Sequence, residues 1–317
     1  MPDRLITIFG GSGFIGRHLV GRLAAKGYQI RLAVRDPESA VQLMTQGNVG
    51  QIVGMQTNIR NQMSVDRAVA GADIVINLVG LLYETGAQSF GAVHVDGAER
   101  VAKAAKQAGA KQLIHMSALG ADKEHEAGYA RSKAVGEELA ATEFPGATIL
   151  RPSVVFGTDD DFFNRFAQLL SLTPVFPLSD GGQAKMQPIW IENLVEAIVR
   201  ILESSSAQGK IWELTGPDAV SFHDLMKRVL IYTDRSCLFL PVPASLMSFM
   251  AIFMKLAPGR PQLTPDQVKL LKIDNVASGD FPNIQDLGIE AASIDFVVPT
   301  YLRRYKKGGG TKIVDLA

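Results

Sequence analysis

The sequence predicts an α/β protein: a doubly wound parallel sheet followed by a smaller, loop-rich C-terminal α/β lobe. Three observations carry that reading. Short apolar runs recur at 5–9, 29–34, 51–56, 74–79, 113–116 and 147–150, and strands that are apolar on both faces belong to a parallel sheet covered on both sides. Helical apolar spacing fills the intervals, most plainly over 17–25, 94–108 and 129–141, and right-handed crossovers make the doubly wound order the economical topology. After Arg151 the alternation breaks up at prolines such as Pro174, Pro177, Pro188, Pro217, Pro241 and Pro243. Within that stretch 188–191 and 192–202 read as one more strand–helix unit and 211–214 as another strand, candidates to rejoin the main sheet. The expected division is a first domain over 1–170 with return segments near 187–215, a lobe over 171–307, and a flexible tail over 308–317.

Composition narrows the function classes. Of 317 residues, 47% are apolar and 20% charged, with 32 basic residues balanced by 32 acidic ones. That is the make-up of a folded chain rather than a disordered one. A zero net charge also withholds the basic footprint of nucleic-acid binding. Cys237 is the one cysteine, so no internal disulfide and no cysteine-based zinc site is expected, in keeping with a reducing compartment. The β-pattern begins at Leu5, leaving no room ahead of it for a secretory signal. No run reaches the roughly 18 apolar residues of a membrane span; a soluble or at most peripheral chain is expected.

The first motif with chemistry in it is LITIFGGSGFIGRHLV, which sets Gly10, Gly13 and Gly16 between a strand and a helix. The first glycine permits the tight turn, the second lets the backbone approach a pyrophosphate, and the third lets helix and strand pack closely. The unpaired N–H groups and positive dipole end of the helix then face the phosphates. Such spacing arises by chance roughly 0.3 times in a chain with this much glycine, so an ordinary glycine-rich turn competes. The strand before and helix after it favour a Rossmann-type dinucleotide site. Cofactor choice is set where the second strand ends: a carboxylate there suits NAD, an arginine suits NADP. In QIRLAVRDP that residue is Arg35, whose guanidinium makes paired, charge-assisted bonds to a 2′-phosphate. Asp36 competes, but Pro37 marks it as the opener of a turn. NADPH is the expected cofactor; a solvated surface charge at Arg35 is the alternative.

Tyr129 and Lys133 in YARSK stand at i,i+4 spacing, on one face of a helix. Ser117, in HMSALG, closes the strand before that helix. A lysine about 4 Å from a phenol contributes roughly 4 kcal/mol at an effective dielectric near 20. That lowering, assisted by the cofactor's own charge, would make Tyr129 a usable acid or base, with Ser117 holding a carbonyl or hydroxyl. The competing reading is an amphipathic helix whose tyrosine packs and whose lysine snorkels.

These residues resemble the short-chain dehydrogenase/reductase superfamily in its extended or atypical branch. GGSGFIG at 10–16 is similar to the cofactor loop, NLVG at 77–80 to the turn after strand four, and Ser117, Tyr129 and Lys133 to the catalytic trio. RPSVVFG at 151–157 and PIWIENLVEAI from Pro188 are similar to later motifs of that branch. SKAVGEE after Tyr129, FGTDDDFFNRFA, VKLLKIDNV and FPNIQDLGIEAASID resemble a narrower family over nearly the whole chain: the NADPH-binding accessory subunits of respiratory complex I. The resemblance implies a tightly held NADPH lined by Gly10, Ser12, Gly13, Phe14, Ile15, Gly16, Arg35, Asn58, Ile59, Leu78, Val79, Gly80, Tyr129, Lys133, Pro152, Ser153 and Val154. It further implies peripheral-arm partners near the quinone site, a structural or regulatory role, and a peripheral place on the cytoplasmic face of a bacterial inner membrane or the mitochondrial matrix side. The sequence departs from the superfamily at Asn58, where an aspartate commonly contacts adenine, and at His94, where extended members often carry an asparagine. A free-standing NADPH-dependent reductase of a quinone-like or other apolar carbonyl is the alternative. A sugar-nucleotide epimerase is disfavoured by Arg35.

Other features carry less. The histidines at 18, 94, 115, 125 and 223 are scattered, so no metal site is expected. Asp159–Asp161 reads as a capped helix start rather than a cation site. ASLMSFMAIFMKL at 244–256 is too short to span a bilayer and is either a buried helix or an apolar face for a partner or membrane surface. The basic run YLRRYKK at 301–307 would add attraction to an anionic surface, or is a solvated end.

Overall fold

The apolar runs become β1 (Leu5–Phe9), β2 (Gln29–Val34), β3 (Ile52–Gln56), β4 (Ile74–Asn77), β5 (Gln112–Met116) and β6 (Thr148–Pro152) in the computed structural model, which describes residues 4–254 and 263–308. Between them lie α1 (Phe14–Ala25), α2 (Val41–Met44), α3 (Gln62–Val69), α4 (Asp96–Gln107) and α5 (Gly128–Glu143). With the strand Ile211–Leu214 they form a seven-stranded sheet in the order Ile211–Leu214, β6, β5, β4, β1, β2, β3. Every neighbour pair is parallel, with Ile8 opposite Leu32 on one side and Ile76 on the other. The strand order reverses direction beside β1, and the crevice beyond the strand ends at such a switch point is where doubly wound folds bind ligands.

Two compact units divide the chain: Met1–Pro152 with Ile191–Leu214 and Ser278–Glu290, and Ser153–Trp190 with Thr215–Ala277 and Ala291–Ala317. In the first, the interiors of β1 and β4 are buried on both faces, which is why they read as unbroken apolar runs. Val65, Ala68, Val101, Ala105 and Leu113 pack beneath one face; fully burying a Val or Leu side chain is worth about 1.5–3 kcal/mol. The helix Ile191–Glu203 presents Leu194, Val195, Ile198 and Leu202 to the core and meets α1 through His18–Glu192 (2.8 Å), Arg22–Glu196 (3.2 Å) and Lys26–Glu203 (2.8 Å).

The segment Ser278–Glu290 returns to this unit from far along the chain. Arg151 makes a paired bond to Glu137 of α5 (Nε–Oε2 3.0 Å, Nη2–Oε1 2.6 Å) and lies 3.9 Å from Glu213. Its guanidinium covers the Phe281 ring at 5.0 Å. Glu213 in turn accepts from the backbone N–H and hydroxyl of Ser278 at 2.6 and 3.0 Å. One half-buried arginine thus joins a helix, the sheet edge and the returning segment.

The strand expected at 188–191 is two residues, Ile189–Trp190, and it pairs with Val155–Phe156 instead of entering the seven-stranded sheet. That pair belongs to the second unit, whose core includes Phe156, Phe163, Leu225, Met226 and Val298. Asp160 realises the expected capped helix start: it accepts from the N–H groups of Gly157, Phe162 and Asn164 and from the Tyr301 hydroxyl at 2.6 Å, ahead of the helix Phe163–Leu172. The apolar helix is Ala244–Met254. It buries Ala244, Met247 and Ala251 and leaves Leu246, Phe249, Met250 and Ile252 about half exposed or more, so one face packs in the lobe and the other is apolar and exposed. No helix among the described residues is long and apolar enough to cross a membrane. The predicted tail lies outside the described residues from position 309 onward.

Candidate functional site

Because the sheet is parallel, the loops after β1 to β5 emerge along one edge, and the predicted residues of the first unit are drawn from those loops and from the helices that follow them. After β1 the chain turns at Gly10, whose φ is +77° and whose N–H donates to Ala33 at 3.3 Å. Gly13 caps α1 without any side-chain bond. A Cβ on Gly13 would meet nothing within 4 Å except the Gly10 carbonyl at 3.2 Å, so that position stays open to a ligand. At Gly16 a Cβ would lie 2.4 Å from the Gly11 carbonyl oxygen; this is the close helix–turn approach the motif predicts. Ser12, Phe14 and Ile15 are half-buried around it. The first N–H groups of α1, orphaned by geometry, are the natural holders of a diphosphate.

Arg35 follows β2 and is exposed. Asp36 does open a turn: its carboxylate accepts from Glu38 N–H at 3.0 Å at the start of the 3-10 helix Pro37–Ala40. Beyond β2 and β3 lies an open recess of about 830 Å³ whose lining includes Arg35, Asn58 and, unforeseen from the motifs, Arg67. Asn58 uses its Oδ1 to accept from Arg60 N–H at 3.1 Å, leaving a second lone pair for an exocyclic amine. Ile59 turns inward and packs in the core.

After β4, Asn77 Oδ1 accepts from Val79 N–H at 3.2 Å and Leu78 N–H donates to Phe9 at 2.9 Å, shaping the Leu78–Val79–Gly80 loop. A Cβ on Gly80 would stand 3.3 Å from Lys133 Nζ and 3.8 Å from His94 Nε2. His94 sits in a single π-helical turn, Gly91–Val95, entering α4, a device frequent at functional sites. Its Nε2 accepts from Leu81 N–H at 2.8 Å. Nδ1 therefore carries the proton and donates to Ser132 Oγ at 2.9 Å, and that hydroxyl passes its own bond to the Tyr129 carbonyl at 2.8 Å. Burial, with Lys133 and His115 nearby, pulls the imidazole down to about 2. The ring stacks on Phe90 at 5.3 Å and meets Tyr129 edge-on at 5.5 Å. The sequence marks this position by its departure from the asparagine of extended members, but the bridge itself is visible only in the fold.

Lys133 is buried and donates to the Met116 carbonyl at 2.9 Å. Burial pulls its ammonium down to about 8 against the opposing pull of Glu137. Tyr129 is half-buried, and burial pushes its phenol up to about 12. Desolvation is the one cause of that rise, and Lys133 adds no opposing pull on the phenol. Ser117 is buried, and its Oγ has no hydrogen-bonding partner among the described residues. Pro152 ends β6. Ser153 and Val154 begin the second unit, where Ser153 Oγ donates to Asn275 Oδ1 at 2.9 Å and Val154 packs on that unit's core. No cluster of metal-ligating side chains occurs among the described residues. An open glycine turn, an exposed guanidinium past β2 and an orphaned buried hydroxyl are together the features a pyridine dinucleotide fits.

The family model described as the NAD dependent epimerase/dehydratase family matches residues 6–214, from β1 to the last strand of the sheet. The chain belongs to that family. Among this family member's relatives is the mitochondrial NADH dehydrogenase [ubiquinone] 1 alpha subcomplex subunit 9 of Rattus norvegicus, 33% identical over 95% of this chain and 80% of the relative. The protein of the same name from Arabidopsis thaliana is 33% identical over 96% of this chain and 78% of its own length. These matches run well past the family segment, into the C-terminal half where FPNIQDLGIEAASID stands. In fold the family member also resembles the NADPH-dependent quinone oxidoreductase of Escherichia coli, crystallised with NADPH (TM-score 0.74, 19% identity, 94% of this chain and 99% of that one).

Proposed function

We propose that this chain is the NADPH-holding accessory subunit of a proton-pumping NADH:quinone oxidoreductase, with the nucleotide serving as a structural ligand. The observation that carries the reading is the nearly end-to-end match to the NADH dehydrogenase subunits named above, beside a site whose dinucleotide-gripping parts are intact and whose His94 has both ring nitrogens engaged in a bridge. A ligand bound only by the folded state stabilises by RT ln(1 + [L]/Kd), about 4 kcal/mol at a thousandfold excess. The relatives named above, matched nearly end to end, support the assignment. Gentle affinity purification of the full chain from its source should bring down NADH dehydrogenase polypeptides and release NADPH on denaturation. A lone chain that oxidises NADPH with a small carbonyl reverses it in favour of a free-standing reductase, the reading that the presence of Ser117, Tyr129 and Lys133 keeps in play.

The finer reading places the subunit peripherally, on the cytoplasmic or matrix side near the quinone region, with the second unit touching the bilayer surface. The exposed face of Ala244–Met254 supplies the apolar contact. Arg303, Lys306 and Lys307, all exposed, add roughly 1 kcal/mol each near anionic lipid. Leu246→Ser with Phe249→Ser should abolish co-flotation with phosphatidylglycerol-containing vesicles; unchanged flotation removes the membrane contact and leaves the cofactor reading untouched.

A further inference from the structure

We infer that α3 forms the far wall of the adenosine pocket, with Arg67 as a second cation for the 2′-phosphate beside Arg35 and Met63 as the surface on which the adenine lies. The inference rests on the NADPH reading above and assigns residues to which no motif points.

Both guanidiniums line the 830 Å³ recess. Both side chains are exposed, and among the described residues neither is engaged in a hydrogen bond or ion pair, so each is available to a ligand. Met63 and Arg67 stand at i,i+4 on α3 and share a face. Met63 is 73% exposed, yet it lines a recess otherwise made of polar side chains. A thioether left in water at a polar mouth is suited to an aromatic ring. The helix is a fixed wall: Asn61 Oδ1 accepts from Ser64 N–H at 2.9 Å to cap it, and Ser64 Oγ accepts from Asn58 N–H at 3.0 Å, tying α3 to the adenine-side loop.

Charge gives the recess its preference. Asp66 also lines it, with one carboxylate oxygen held by Gln62 Nε2 at 2.7 Å. Two arginines against one carboxylate leave a net positive recess, which attracts a phosphate monoester of charge near −2. A nucleotide without that phosphate would leave both guanidiniums unpaired beside its ribose, so the same pair that attracts NADPH discriminates against NADH.

The test is equilibrium binding of NADPH and NADH to the full chain as wild type, Arg35→Ala, Arg67→Ala, Arg67→Gln and Met63→Ala. Removing a charge-assisted pair should weaken NADPH binding by roughly tenfold or more in both Arg67 variants and leave NADH within twofold. Met63→Ala should weaken both nucleotides by a similar factor. An unchanged NADPH:NADH ratio in the Arg67 variants, alongside a loss in Arg35→Ala, overturns the role of Arg67 and leaves the cofactor reading standing. A wild type that binds neither nucleotide, or both equally, overturns the NADPH reading and this inference together. Unchanged melting temperatures without nucleotide establish that the variants are folded.

Discussion

Lowering the pH from 7.5 to 4.5 should strip about 5 kcal/mol from the unfolding free energy through two histidines alone. His94 and His115 are buried and held neutral, pulled from an ordinary 6.5 to about 2 and about 3. Below 6.5 the unfolded chain binds protons that the folded chain refuses, so stability is complete above 6.5 and falls as pH drops toward the folded values. At pH 4.5 each histidine accounts for about half of that loss. The neighbours reinforce the effect: the Lys133 ammonium faces both rings, and His115 faces His94. Asn77 Nδ2 donates to His115 Nδ1 at 3.3 Å, which puts the remaining proton on Nε2, buried and without a partner among the described residues. Asp160, pushed up by burial, works in the opposite sense, so variants are needed to isolate the histidines. Urea unfolding at both pH values should give His94→Gln and His115→Gln about half the wild-type loss each. A wild-type loss below about 1 kcal/mol, or equal losses in all three proteins, refutes the assignment.

What the sequence made legible follows from how local each signal is. β1 to β6 were readable because both faces of a parallel strand are buried, which leaves apolar runs bounded by turns. The glycine turn was readable because Gly13 and Gly16 answer to steric limits within seven residues, at the Gly10 and Gly11 carbonyls. Asp36 was readable as a cap because Pro37 follows it. The π-turn at Gly91–Val95 was not, since its apolar spacing matches that of an α-helix start. Nor was the fate of 188–191: two residues carry too little pattern to choose between sheets. The i,i+4 spacing of Tyr129 and Lys133 is legible in the sequence, whereas the burial of Lys133 depends on residues such as Met116 and Gly80 that the fold brings in. Met63 and Arg67 lacked any motif; only the three-dimensional recess singles them out.

The hardest feature to foresee, the return of Ser278–Glu290 to the first unit, also carries the largest expected single-substitution effect. Arg151→Met should destabilise the chain by about 3–5 kcal/mol, the range for removing one partner of a buried ion pair. Glu137 and Glu213 are 7% and 4% exposed, and without the guanidinium two largely buried carboxylates would be left facing one another. The methionine fills much of the lost volume, so the loss is electrostatic rather than a cavity effect. Phe281 would also lose the cation above its ring, and Glu213 would be left with only its bonds to Ser278. Two consequences distinguish this from general destabilisation. Limited proteolysis should open first within 278–290, because that segment is held at one end through Glu213 and at the other by Arg200, which donates to the Leu287 and Gly288 carbonyls at 2.7 and 3.0 Å. The double variant Arg151→Met, Glu137→Gln should recover part of the loss, since it removes one uncompensated charge. A loss under about 1 kcal/mol, or a double variant no better than the single, would mean that the arginine is solvated in place and the returning segment is held by packing alone.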